Sequence, residues 1–233
     1  MGISNTTLTS AITSVRSLLD EPEASAAPFW SDTEITTWLN QGCADVQRRA
    51  EIIQEFAIIA AVVNQQKYII PNNVHRIHRV EFAPTSSVNT YTLEFRGYNE
   101  MDQIWGINQQ WPASYPLYYT LWKSPPLLQM VTYPVTAQAG VFNIFYYRTI
   151  QPVVNSTDTL DTLPGWEDII YDYAVYMAFR KDADARWQEA KSIYEAHLND
   201  MSNVTRTFQD QGNYFSTGQV ALPAWLINDD MGW

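Results

Sequence analysis

Cysteine is nearly missing from this sequence. The single Cys43 excludes an internal disulfide and any cysteine-based zinc cluster, and nothing points to an oxidising compartment. Glycine is scarce too: there are nine, none in a GxGxxG or GxxxxGK[ST] arrangement, so no phosphate-cradling loop is visible. Positive charge is short, with 14 Lys and Arg against 25 Asp and Glu, a net charge of −11 and a pI near 4.6. That balance argues against a general electrostatic grip on nucleic acid or on an anionic membrane. The longest apolar run, residues 56–63, is far too short to cross a bilayer. The first twenty residues are rich in Ser, Thr and Asn and lack the charged start and apolar core of a signal peptide, so the chain reads as intracellular.

What is abundant is aromatic surface. Aromatics make up 14 % of the chain, with nine Trp and fourteen Tyr, while charged residues reach only 17 %. Trp and Tyr join a large apolar body to a polar handle, which suits partly wet contacts, so some of these rings belong at interfaces and the others fill a core. At 233 residues the chain is long enough for one large domain or two small ones, and a body of that size buries roughly 70–75 % of its unfolded surface without staples.

The apolar spacing changes twice along the chain. Leu8, Ile12, Val15 and Leu18 recur at helical intervals over residues 6–20. Ser31, Asp32, Thr33 and Glu34 then form a capping box, with Phe29 placed to staple against the first turn, ahead of an amphipathic helix over residues 32–54. Residues 56–63 and 67–70 read as a hairpin around Asn64, Gln65 and Gln66. Segments 74–82, 91–95, 115–122, 127–133 and 141–147 continue as strands of an antiparallel sheet, with a short helix at 99–105. Helical spacing returns at Trp166, Ile169, Ile170, Tyr173 and Met177 and again at Trp187, Ala190, Tyr194, Leu198 and Met201. A corner at 182–185 separates these two stripes, and Asp182 with Arg186 has the spacing of a favourable ion pair. From residue 202 the pattern dissolves. The expected fold is therefore α+β: N-terminal helices in 1–55, an antiparallel β insertion in 56–150, a C-terminal helical hairpin in 151–201 packing with the first helices as a bundle, and an extended arm in 202–233.

No motif carries chemistry. His75 and His78, three apart in a strand, fall on opposite faces, and no HExxH or Cys-His pattern occurs, so no metal is implied. His197 lies on the last helix as a solvent-facing or packed residue. There is no GxSxG elbow, and Cys43 sits inside a helix, where it fills a groove. The pairs Glu21 with Glu23, Glu167 with Asp168 and Asp229 with Asp230 fall in loops or at helix starts, as capping or solvated groups do. Arg48 with Arg49 and Arg76 with Arg79 are the nearest approach to basic clusters, and neighbouring acids such as Asp45 and Glu51 suit them as partners. Neither a catalytic site nor a cofactor is expected. The arm stands apart, because Phe208, Tyr214, Phe215, Trp225, Leu226 and Trp233 are anchors that a purely solvated tail rarely holds.

The stretches FWSDTEITTWLNQGCADVQRRAE, NQQKYIIPNNVHRIHRVEF, YTLEFRGYNEMDQIWG, YPLYYTLW, FNIFYYRT and PGWEDIIYDYAVYMAFRKDADARWQEAKSIYEAHLNDM, in that order over residues 8–201, resemble tailed-bacteriophage head-to-tail adaptor (connector or gateway) proteins. The resemblance implies a non-enzymatic virion subunit in a homo-oligomeric ring, commonly of 12 copies, at the neck. Such a ring docks beneath the portal protein, extends the channel through which genomic DNA passes without specific binding, and receives a tail nozzle or other tail proteins; assembly takes place in the host cytoplasm. It also implies that the helical part lines the channel, with Asp172, Glu189 and Glu195 as candidate lining acids, and that the arm reaches the portal or a neighbouring subunit. Low charge density, many aromatics and excess acid agree with such a part, since a like-charged wall lets DNA pass. The competing readings are another tail or neck structural subunit, an isolated carbohydrate- or ligand-binding β module suggested by the aromatics of 115–122, and a hydrolase.

Overall fold

A computed structural model describes residues 5–21, 28–105, 113–124 and 127–216. Five helices and seven strands follow one another as α1 (Leu8–Leu18), α2 (Asp32–Ala50), β1 (Gln54–Ala61), β2 (Lys67–Ile69), β3 (Val74–Pro84), β4 (Tyr91–Phe95), α3 (Tyr98–Trp105), β5 (Tyr118–Ser124), β6 (Leu127–Tyr133), β7 (Gly140–Arg148), α4 (Glu167–Lys181) and α5 (Trp187–Ser216). The chain divides into two compact units. Residues Met1–Ala50 and Val153–Trp233 form a helical unit, and Glu51–Pro152 form a β unit.

In the helical unit α4 packs against α1, α2 and α5. Ala11, Val15, Ile35, Leu39, Val46, Ile170, Ala174, Tyr194 and Leu198 are almost wholly removed from water, as the helical spacing requires. Gly42 permits the close approach of α2 and α4, since a Cβ there would stand 3.2 Å from the side chain of Tyr173. The capping box forms as expected: Ser31 N–H donates to Glu34 Oε2 (3.0 Å) and Glu34 N–H donates to Ser31 Oγ (3.3 Å). The staple is not made by Phe29, which is 68 % exposed; its neighbour Trp30 is buried instead, its ring 5.3 Å from that of Trp38.

Helix α2 stops at Ala50 rather than at 54, because Glu51 takes a left-handed φ of 49° and Gln54 enters β1. The polar stretch 155–162 is ordered against α1. Leu8 N–H donates to Asp158 O (2.8 Å) and Leu160 N–H donates to Thr6 O (2.9 Å).

The β unit is one sheet in the order β1-β7-β3-β4-β5-β6-β2. Two expectations need correction. Residues 56–63 and 67–70 do not pair with each other: β1 pairs with β7 and β2 with β6, at opposite ends of the sheet. The turn between them is tied to the end of β6 and to the β6–β7 connection instead, with Thr132 N–H donating to Gln66 O (2.9 Å) and Asn64 N–H to Thr136 O (2.9 Å). Nor is the sheet antiparallel throughout, since β4 and β5 run parallel. Helix α3 lies between them in sequence, and a crossover of that kind returns the chain to the same end of the sheet. Ala61, Tyr68, Val80, Phe82, Leu93, Tyr119, Met130 and Phe142 join a single core that draws on all seven strands, so both edge strands share it.

The histidines of β3 also fall differently. The pairing of β3 with β7 skips a residue between Val74 and Arg76 and again between Ile77 and Arg79, which puts His75 and His78 in bulges. Both are exposed, and the bulges interrupt the regular alternation on which the expectation of opposite faces rested.

At the other end of the chain, α5 continues through Ser216, so residues 202–216 are helical rather than extended. Nothing between Met201 and Gln211 breaks a helix, and Thr205 Oγ1 donates to Met201 O (2.9 Å), satisfying its hydroxyl along the helix.

Candidate functional site

The three acids singled out from the sequence all belong to the helical unit, in three different settings. Glu189, in the first turn of α5, is exposed and takes part in no ion pair among the described residues. Glu195 is gripped by Arg49 of α2, with Nη2 2.5 Å from Oε2 and Nη1 3.0 Å from Oε1. Those hydrogen bonds hold the Glu195 carboxyl below its ordinary value and raise the Arg49 guanidinium. Asp172 of α4 is half-buried, and its Oδ2 lies 2.6 Å from Nδ1 of His197 on α5. Burial raises its carboxyl, an effect that the hydrogen bond to the imidazole opposes. Two of the three are thus interhelical ties, and one is a free surface charge.

The same is true of Arg48 and Arg49. Both meet Asp45, which also accepts from Tyr194 OH at 2.6 Å. Burial works to raise Asp45, and the hydrogen bonds from Tyr194 and Arg48 outweigh it and leave the carboxyl lowered. On the β unit Arg76 pairs with Glu51 and lies over the ring of Tyr147, while Arg79 pairs with Glu81 and stacks 4.4 Å from the centre of the Phe145 ring. Neither arginine pair forms a bare basic patch.

Sequence reading missed the group around Arg16. Its guanidinium, 8 % exposed, donates to Glu21 Oε2 (2.5 Å), Trp30 O (2.7 Å) and Asp32 Oδ1 (2.7 Å), and Glu21 Oε1 accepts from Trp30 N–H (3.0 Å). This buried cation pins the end of α1 to the start of α2. The available signal was its place beside Val15 on the apolar side of α1.

Net charge is partitioned between the units. The helical unit contains 19 acidic and 8 basic residues, a net of −11, whereas the β unit contains six of each and is neutral. The whole negative excess of the chain therefore rides on the helical unit. The aromatics of 115–122 are divided: Tyr119 is 4 % exposed, whereas Trp122 stays 39 % exposed with its ring 4.5 Å from that of Tyr98.

Residues 6–221 match the family model of the SU10 adaptor protein. The chain belongs to the SU10 adaptor protein family. That family is one of structural phage adaptors. Among solved structures, this adaptor is similar to the neck of an empty GTA particle computed with C6 symmetry, at 11 % identity and a TM-score of 0.27 over 78 % of this chain and 84 % of that one. Comparison with curated proteins gives no match.

Of the adaptor's six candidate contact residues, Phe208, Tyr214 and Phe215 fall within α5, and their side chains lie outside the described residues. Trp225, Leu226 and Trp233 lie outside the described residues altogether. Among the described residues no group of three or more His, Cys, Asp or Glu is placed to hold a metal ion, and no helix is long and apolar enough to cross a membrane. Cys43 is buried, and that burial pushes its thiol up to about 12, which leaves no thiolate for nucleophilic chemistry at neutral pH.

Proposed function

We propose that this SU10-family adaptor is a non-enzymatic ring subunit of the phage neck, that the ring, of about twelve copies as the family resemblance implies, docks beneath the portal protein, and that its helical unit forms the wall past which DNA travels. The observation that carries the reading is the family match over nearly the whole chain. The charge partition supports the orientation: a wall of net negative charge repels phosphate and lowers sticking, while the neutral β unit is free to meet tail proteins. A heterologous ring needs two different complementary faces, so the free protein is a monomer that closes into a ring on the portal template.

Native mass spectrometry and electron microscopy of the purified protein, with and without its portal, test this. A monomer alone and a ring on the portal are expected. A portal-independent symmetric dimer, or no association with the portal, overturns the reading.

A further inference from the structure

The two edges of the sheet are unlike. One edge strand, β2, is only three residues long, and shortness is a common protection for an edge. The other, β1, has eight residues in unbroken register with β7 and carries no proline, no lysine and no bulge. Among the described residues no backbone group is hydrogen-bonded to its outer side. Its outward face is apolar as well: Phe56 is 47 % and Ile58 62 % exposed, beside Phe145 with its ring 4.9 Å from that of Phe56. A long edge left open with an apolar pair, Phe56 and Ile58, exposed beyond the polar Gln54 and Glu55 at its start is a template for one more strand.

We infer that β1 is the docking edge for the C-terminal segment 217–233 of a second copy of this chain, which adds to the sheet as an eighth strand. This rests on the ring reading and narrows the arm's destination to the neighbouring subunit. The segment has the needed length. Extended, its seventeen residues reach about 56 Å, and pairing with the eight residues of β1 takes up about 27 Å, leaving the remainder as a tether. It also has the needed composition. Val220, Ala221, Leu222, Pro223, Ala224, Trp225, Leu226 and Ile227 are eight apolar residues without a charge, and the two acids Asp229 and Asp230 follow only after them. A single proline is compatible with an added edge strand. A β1-to-β1 pairing between two copies is the alternative, but it is isologous and ends at a dimer, whereas tail-to-edge contact is heterologous and closes a ring.

The test uses one full-length chain with Ile58→Cys and a second with a cysteine walked through positions 220–227. The native Cys43 is 4 % exposed and does not compete. The two are mixed, assembled on the portal and oxidised. Disulfides between copies at every second position, in at least tenfold excess over the positions between, are expected. Uniform cross-linking across the walked positions, or none, overturns the inference.

A second measurement does not depend on the ring. A synthetic peptide of residues 217–233 added to the full-length protein should slow amide exchange in β1 by tenfold or more and leave β2 unchanged. No slowing at saturating peptide overturns the inference even where portal rings form, and slowing without any portal ring supports it while the ring reading fails.

Discussion

His197 Nδ1 stands 2.6 Å from Oδ2 of Asp172, joining the middle of α5 to α4. The contact couples a half-buried carboxylate to a half-exposed imidazole, and burial raises the Asp172 carboxyl above its ordinary value. A carboxyl whose pKa is higher in the folded state than in the unfolded one takes up a proton more readily when folded. Its contribution to stability is therefore greatest below the ordinary aspartate value of about 3.9 and declines as pH rises through the raised value. Asp172→Asn keeps an acceptor for the imidazole and removes the buried charge. Its melting temperature relative to the parent should rise between about pH 4 and pH 7, whereas His197→Ala, which leaves the carboxylate without its partner, should lower the melting temperature at neutral pH. Thermal unfolding across that range checks both; a variant Asp172→Asn that loses stability as pH rises contradicts the account.

Arg16 supplies the second prediction. Its side chain is 8 % exposed and that of Glu21 12 %, so truncating one partner strands the other's charge away from water. Arg16→Ala should cost about 3–5 kcal/mol. The double variant Arg16→Met with Glu21→Gln removes both charges and should recover more than half of that loss. Denaturant unfolding of the single and double variants decides it, and additive losses would show that the pair is not what holds α1 to α2.

The scarcity of glycine has a structural counterpart. Asp20, Glu51, Asn64 and Ala183 all take left-handed backbone angles, with φ between 49° and 63°, at turns where glycine is the unstrained choice. Ala183, just past α4, is exposed and lacks the polar side chain that makes the conformation tolerable for Asn or Asp. A left-handed residue with a Cβ costs about 1–2 kcal/mol, and glycine returns about 0.5–1 kcal/mol of that as chain entropy. Ala183→Gly should therefore raise the melting temperature by about 1–3 °C, and Asn64→Gly by less. Equal effects at the two sites would remove strain as the explanation.

What could be read in the sequence was what depends on near neighbours. The Ser31–Glu34 box, the strand β4 and the boundaries of β6 need only spacing, caps and turn residues within a few positions, and the structure matches them. Partners far apart in the chain left no trace in any short window. Lys181 bonds to Glu34 across 147 positions, and β2 pairs with β6 instead of the adjacent β1. The expected Asp182–Arg186 pair failed for a different reason: the left-handed turn at Ala183 breaks the helix between the two, and Arg186 bonds to Asp184 instead, with Nη2 2.7 Å from Oδ2. For the candidate site, composition revealed the excess acid, but its confinement to the helical unit emerges only once residues 51–152 are seen to form a unit of their own.

The last prediction concerns DNA passage, and the ion pairs decide which acids can test it. Reversing Glu195 or Asp172 would also break the ties to Arg49 and His197, so any effect on ejection would be mixed with a change of packing. Glu189 and Asp200, both exposed on α5 and outside the ion pairs of the described residues, are free of that difficulty. Glu189→Lys with Asp200→Lys changes the charge of each subunit by four while leaving the helix core untouched, so stability should stay within about 0.5 kcal/mol per substitution. In the proposed ring, with this face of α5 turned to the channel, the wall would gain many positive groups that pair with phosphates, and DNA exit should slow severalfold at low salt and recover toward the parent rate as salt screens them. Particles carrying the double variant, with intact melting and normal necks by microscopy, are the material for the measurement. Ejection at the parent rate at every ionic strength would mean that this face of α5 does not line the path of the DNA.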